Sequence, residues 1–179
     1  GVSTVGQRAP HVGPLGSVFL MDADDEQVQR WLPSPSAAGD DVLERLRSHV
    51  MTVRERGYSL TLRSEVADRR RDATARYSLP DSVPADERHL RAAIGASIDL
   101  YEPELHDDGV FDVYSIAVPI VREGTTGCEM AVRILGLPPE IRGSTVREWI
   151  EDLAMTAESV SDRLGALSGN QRNRESETS

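Results

Sequence analysis

One charged side chain, Arg133, stands inside the apolar run 130–135 of the segment VYSIAVPIVREGTTGCEMAVRILG, residues 113–136. Its guanidinium presents a planar fork of donors that matches a carboxylate or a phosphate. The segment reads as a two-stranded hairpin, and strand side chains alternate between faces. Alternation puts Tyr114, Ile116, Val118 and Ile120 on one face of the first strand, and Val113, Ser115, Ala117 and Pro119 on the other. In the second run Cys128, Met130, Val132 and Ile134 share a face, opposite Glu129, Ala131, Arg133 and Leu135. The sheet therefore has one bulky apolar face and one smaller, more polar face holding Ser115, Ala117, Ala131, Arg133 and Leu135. Two readings of that second face stand side by side. It is the floor of a pocket for a small anion, or it is partly solvated and Arg133 extends to water.

The other reactive side chains do not converge. His11, His49, His89 and His106 are far apart, and His49 lacks a second ligand one helical turn away. The run His106-Asp107-Asp108 admits a metal cluster or a solvated acidic loop. Cys128, alternating with Met130, reads as a small buried hydrophobe. GPLG at 13–16 precedes a helix start, where backbone N–H groups are placed to face an anion. There is no Gly-x-Ser-x-Gly elbow, phosphate-binding loop or dinucleotide fingerprint. These patterns predict no enzyme, no metal site and no cofactor.

Bulk properties narrow the class further. The 179 residues suit one domain, and the net charge of -10 argues against direct nucleic-acid binding by this chain. The one basic run, Arg69 to Arg71, lies between Asp68 and Asp72 and reads as a solvated loop. A lone cysteine permits no internal disulfide and fits a cytoplasmic setting. No apolar run approaches the ~18 residues of a membrane span.

The elements that must position the hairpin are legible from periodicity. DDEQVQRWL places Val28, Trp31 and Leu32 at helical spacing. Residues 40–56 predict a helix with Val42, Leu43, Leu46, Val50 and Val53 on one face, capping-box spacing at Asp41 and Glu44, and a stop at Gly57. YSLTLRS alternates as a strand. Residues 66–85 read as mostly irregular. A second helix carries Leu90, Ala93, Ile94, Ile98 and Tyr101 on one face, with Pro103 just past its end. A third, from Ser144 to about Leu164, has a stripe of Val146, Trp149, Ile150, Leu153, Ala157, Val160 and Leu164. The expected fold is α+β, an antiparallel sheet flanked by helices, over residues 1–167 with a disordered tail at 168–179.

Taken in order, VGQRAPHVGPLGSVFL, a helix ending VRERGYSL, the hairpin YSIAVPIVREGTTGCEMAVRILGLP and a long last helix resemble the C-terminal effector-binding domain of the IclR family of bacterial transcription regulators. The resemblance spans residues 5–58 and 110–164. It implies a GAF-like fold, dimers or tetramers, and a small-molecule effector bound on one sheet face. It implies DNA binding only through a winged helix-turn-helix domain that this sequence lacks, and a chain beginning inside the effector domain. Carried over by position, it adds Pro14 and Leu15 to Ser115, Arg133 and Leu135 as ligand contacts. Where such domains often have a lysine, this sequence has Ser17. The expected acidic contact falls among Glu102, Glu104, Asp107 and Asp108 without a unique placement. The apolar bulk of Leu15 and Leu135 implies a carboxylate with an apolar or aromatic body. The alternative is a structural or dimerisation module whose pocket Pro14, Leu15 and Leu135 fill.

Overall fold

The computed structural model describes residues 11–33, 39–64, 69, 72–73, 76, 83–121 and 127–176. It is α+β, with an antiparallel sheet and helices. The first element is a 3₁₀ turn at Ser17–Leu20, followed by helix α1 at Asp25–Trp31. Asp24 caps α1: its side chain accepts from the Gln27 N–H, and the Gln27 side chain accepts from the Asp24 N–H in return. That reciprocal pair satisfies two otherwise orphaned donors. Helix α2 spans Asp40–Arg56 and buries Leu43, Leu46, Val50 and Val53. The capping box expected at its start is absent. Gly39 is its N-cap, without a side-chain cap, and Asp40 and Asp41 act through their charge in the first turn. Gly57 ends it as expected, in a left-handed conformation with φ 79° that glycine adopts without steric cost.

Strand β1 is Ser59–Leu62, helix α3 is Pro84–Ala96, and a short 3₁₀ turn, Ile98–Leu100, follows. The predicted helical face is thus divided: Ile98 and Tyr101 are buried, but beyond the α-helix proper. Most of the stretch read as irregular, 66–85, lies outside the described residues. Strands β2 (Val110–Phe111), β3 (Val113–Ile120), β4 (Met130–Leu135) and β5 (Ile141–Arg142) lead to helix α4, Gly143–Ser176. Its backbone stays helical past the expected end near Leu164 and into the segment read as a disordered tail. No proline lies there to forbid continuation.

The main sheet has the order β1-β3-β4, antiparallel throughout, and β2 pairs with β5 separately. Register fixes which residues share a face. Across β3 and β4, Ser115 faces Leu135, Ala117 faces Arg133 and Pro119 faces Ala131. Across β1 and β3, Ser59 faces Ala117 and Thr61 faces Ser115. The opposite face carries Leu60, Ile116, Val118 and Ile120, which join Val146, Leu153 and Ala157 of α4 in one buried cluster. Each of the valine, leucine and isoleucine side chains contributes roughly 1.5–3 kcal/mol when withdrawn from water. Val113 also belongs to this cluster, fully buried, and not to the polar face where simple alternation puts it. The register slips between Thr61 and Leu62, so Leu62 pairs with Val113 and the alternation breaks at that end. A second core, of Leu20, Trp31, Leu43, Leu46, Val50 and Ile98, joins α1 and α2. Among the described residues no helix is long and apolar enough to cross a membrane.

Candidate ligand-binding site

The polar face of the sheet is the floor of a cavity of about 540 Å³. Ser59, Thr61, Ser115, Ala117, Ala131 and Arg133 lie along it. The loop before the 3₁₀ turn and the turn itself supply an apolar roof of Leu15, Val18 and Phe19. The combination of a mostly apolar enclosure and a few convergent polar groups suits a small organic ligand.

Trp31 holds the roof in place. It is 1% exposed, its indole N–H donates to the Leu15 carbonyl at 2.7 Å, and its own carbonyl accepts from Gly13 N–H at 2.9 Å. Gly13 makes this approach feasible, since a Cβ there would lie 2.9 Å from Leu46 Cδ2 and 3.2 Å from Trp31 Cη2. The same bonds withdraw part of the loop from any anion. Gly13 and Leu15 spend their N–H groups on Trp31 and Val12, and Pro14 has none to offer.

On the floor, Arg133 donates to the Ser115 hydroxyl at 2.9 Å, and its guanidinium carbon sits 5.7 Å from the centre of the Tyr114 ring. Arg133 therefore lines the cavity and is tied to a neighbouring strand. Beneath the β1 end lies a buried cluster. Glu102, with its side chain 1% exposed, accepts from the hydroxyls of Ser17 at 3.0 Å and Ser59 at 2.6 Å, and from Leu60 N–H at 3.1 Å. Arg56 closes the set as its ion-pair partner, while donating also to the carbonyls of Tyr58 and Pro103, each at 3.1 Å. Burial pushes the Arg56 pKa down and the nearby Tyr58 opposes that shift. Glu102 adopts φ 55°, a left-handed conformation costly for a non-glycine residue, and its N–H is held by the Leu60 carbonyl at 2.8 Å. The carboxylate is thus fully engaged by protein donors.

Of the residues singled out from sequence, Leu15, Ser115, Ala117, Ala131 and Arg133 come together around one cavity. Pro14 is fully buried and does not line it. Leu135 is 36% exposed at the far end of β4 and does not line it either. Of the four acidic candidates, Glu102 is nearest to the role, but it sits behind Ser17 and Ser59 and is bonded to them. Asp107 pairs with Arg147 of α4, and His106 lies 3.8 Å from Glu104, so that loop is an anchor for the last helix. Among the described residues no group of three histidine, cysteine or acidic side chains is placed to hold a metal.

Sequence reasoning missed Ser59, Thr61 and Tyr101, and it misplaced Cys128. The signal for the first two was present in SLTL, where Ser59 and Thr61 alternate with Leu60 and Leu62. Cys128 lines the cavity instead of the helix-side core, because β4 begins only at Met130 and alternation does not extend back through the turn. It is buried, its thiol donates to the Met130 carbonyl at 3.0 Å, and burial raises its pKa. A second hollow of about 370 Å³ adjoins the first, with His11, Phe19, Cys128 and Glu129 lining both.

His49 of α2 stands behind Tyr101, the rings stacked at 6.5 Å. Its Nδ1 is buried without a hydrogen-bond partner among the described residues. Burial first, then the positive charges of Arg45 and Arg56, push its pKa from 6.5 down to about 4, against the opposing pull of Asp99. The folded state thus favours neutral His49. Its contribution to stability is complete above pH 6.5 and is lost as pH falls toward about 4. The expected loss is about 2 kcal/mol once the ring's partial exposure is allowed for. Urea titrations at pH 7, 5.5 and 4.5 check this. His49→Phe should flatten that part of the profile, and parallel decline of both proteins would exclude His49 as its source.

No protein-family model, curated protein or solved structure matches this chain.

Proposed function

We propose that the chain is the ligand-sensing domain of an IclR-like transcription regulator, GAF-like in fold, and that its ligand is a small organic carboxylate. The ordered sequence resemblance supports the family reading. One structural observation carries the ligand reading: a cavity of about 540 Å³ whose floor bears Arg133 bonded to Ser115, beneath the apolar side chains of Leu15, Val18 and Phe19. A guanidinium presented among hydroxyls receives a carboxylate through charge-assisted hydrogen bonds. The apolar roof then covers the body of the molecule. No catalytic role is proposed. In that family DNA is held by a separate domain, so the ligand acts by favouring one arrangement of subunits, in proportion to its differential affinity for the alternatives. Dimers or tetramers in the bacterial cytoplasm belong to the same proposal. The rival module with a filled pocket needs Pro14, Leu15 and Leu135 inside the cavity, and only Leu15 lines it.

A thermal-shift screen over aliphatic and aromatic carboxylates tests the reading. A ligand at 100 times its dissociation constant stabilises by about 2.7 kcal/mol. Arg133→Ala should then weaken the best ligand by about 1.5–3 kcal/mol in calorimetry. Unchanged affinity in the variant removes Arg133 from the site, and a flat screen removes the carboxylate proposal.

A further inference from the structure

The hydrogen bonds of the cavity floor have a direction. Glu102 Oε1 takes the hydroxyl protons of Ser17 and Ser59, and Oε2 takes the Leu60 N–H and the Arg56 guanidinium. Two acceptor sites per oxygen are filled, and the one proton Ser59 owns is committed. Ser17 lies 3.2 Å from Ser59, but its proton also points at Glu102. Ser59 therefore shows the cavity only lone pairs. Ser115 is the reverse case. Its oxygen accepts from Arg133, so its own proton is left to donate. Thr61, its neighbour by register and only 4% exposed, lines the cavity beside it.

Resting on the carboxylate reading of this cavity, we infer that its ligand carries a neutral hydroxyl at the end remote from the carboxylate, donated to Ser59. The carboxylate sits at the Arg133–Ser115 corner, beside Thr61, where the Ser115 proton is aimed by the bond its oxygen accepts from Arg133. Ser59 faces Ala117, two residues beyond Ser115 on β3. Such diagonal neighbours are about 7–8 Å apart. The hydroxyl and carboxylate thus stand at opposite ends of a short scaffold. An α-hydroxy acid, with both groups side by side, does not reach. The space between is bounded by Ala117 and Ala131 below and by Leu15 and Phe19 above, so the scaffold is apolar. A hydroxyl fits better than an ammonium group. Arg56 already neutralises Glu102, the carboxylate bonded to Ser59, so an ammonium at Ser59 gains little there to offset its desolvation.

Calorimetry on matched trios tests this: valerate with its terminal hydroxy and terminal methoxy derivatives, and phenylacetate with its para-hydroxy and para-methoxy derivatives. The methoxy compounds keep the oxygen and lose the proton. In the native protein the hydroxy member of at least one trio should bind about tenfold more tightly than both companions. Ser59→Ala should erase that preference, so that the three members of a trio bind it alike. Ser115→Ala should weaken all members of a trio alike. Should Ser59→Ala fail to fold, Ser59→Cys, with its poor acceptor sulfur, takes its place. Equal binding within both trios, or a preference that survives at Ser59, overturns the inference and leaves the carboxylate reading standing. Absence of binding by every compound to the native protein overturns both.

Discussion

Arg56→Ala is expected to destabilise the domain by about 3–5 kcal/mol, because it strands a charge in the interior. Glu102 is the most deeply buried ionised group of the site, with its side chain 1% exposed against 16% for Arg56. Removing the guanidinium leaves that carboxylate facing two hydroxyls and one N–H without a counter-charge. It also frees the carbonyls of Tyr58 and Pro103. For a chain of this length the corresponding fall in melting temperature is about 6–20 °C. Adding Glu102→Gln to Arg56→Ala should recover part of the loss, since a neutral amide still accepts hydrogen bonds and carries no charge to strand. Denaturant melts of the two single variants and the double variant measure the coupling. Strict additivity would show that the two side chains do not act as a pair.

Trp31→Ala should be of similar size, about 3–5 kcal/mol, and for a different reason. The indole fills the core shared by α1 and α2 and simultaneously holds the Leu15 carbonyl. The alanine variant loses both packing and roof. Trp31→Phe separates them: it keeps most of the ring volume but leaves the Leu15 carbonyl unpaired, at a cost of about 1–3 kcal/mol. Its effect on ligand binding should therefore be large relative to its effect on stability. Melting curves beside calorimetry with the best carboxylate read the two quantities. A Phe variant that binds as well as the native protein would show that the roof is positioned by contacts other than this bond.

The contrast between Arg133 and Glu102 shows what could be read from the chain and what could not. Arg133 was legible because it sits in a regular strand, where a period of two residues assigns a face without further information. The same rule would have yielded Ser59 and Thr61 from SLTL. It failed at Val113, where the register slips, and at Cys128, which precedes the strand. Glu102 was beyond its reach. The residue follows a 3₁₀ turn, adopts a left-handed backbone and meets Arg56 from the end of α2, a partner 46 positions away. Nothing local marks such a pair. The helices were legible through their apolar stripes, whereas α2 begins without the capping box its sequence suggests and α1 has one at Asp24 and Gln27.

The sheet between the cavity and α4 is a single layer of backbone. Ser115 and Ala117 face the cavity, while Ile116 and Val118, interleaved with them, press on the last helix. Mechanically this is a diaphragm: a displacement of the floor would be passed to the seat of α4. A close-packed core cannot absorb such a shift by compression, so the helix must slide or tilt. α4 would then be the pointer of the instrument, a helix of 34 residues seated on the sheet through Val146, Leu153 and Ala157.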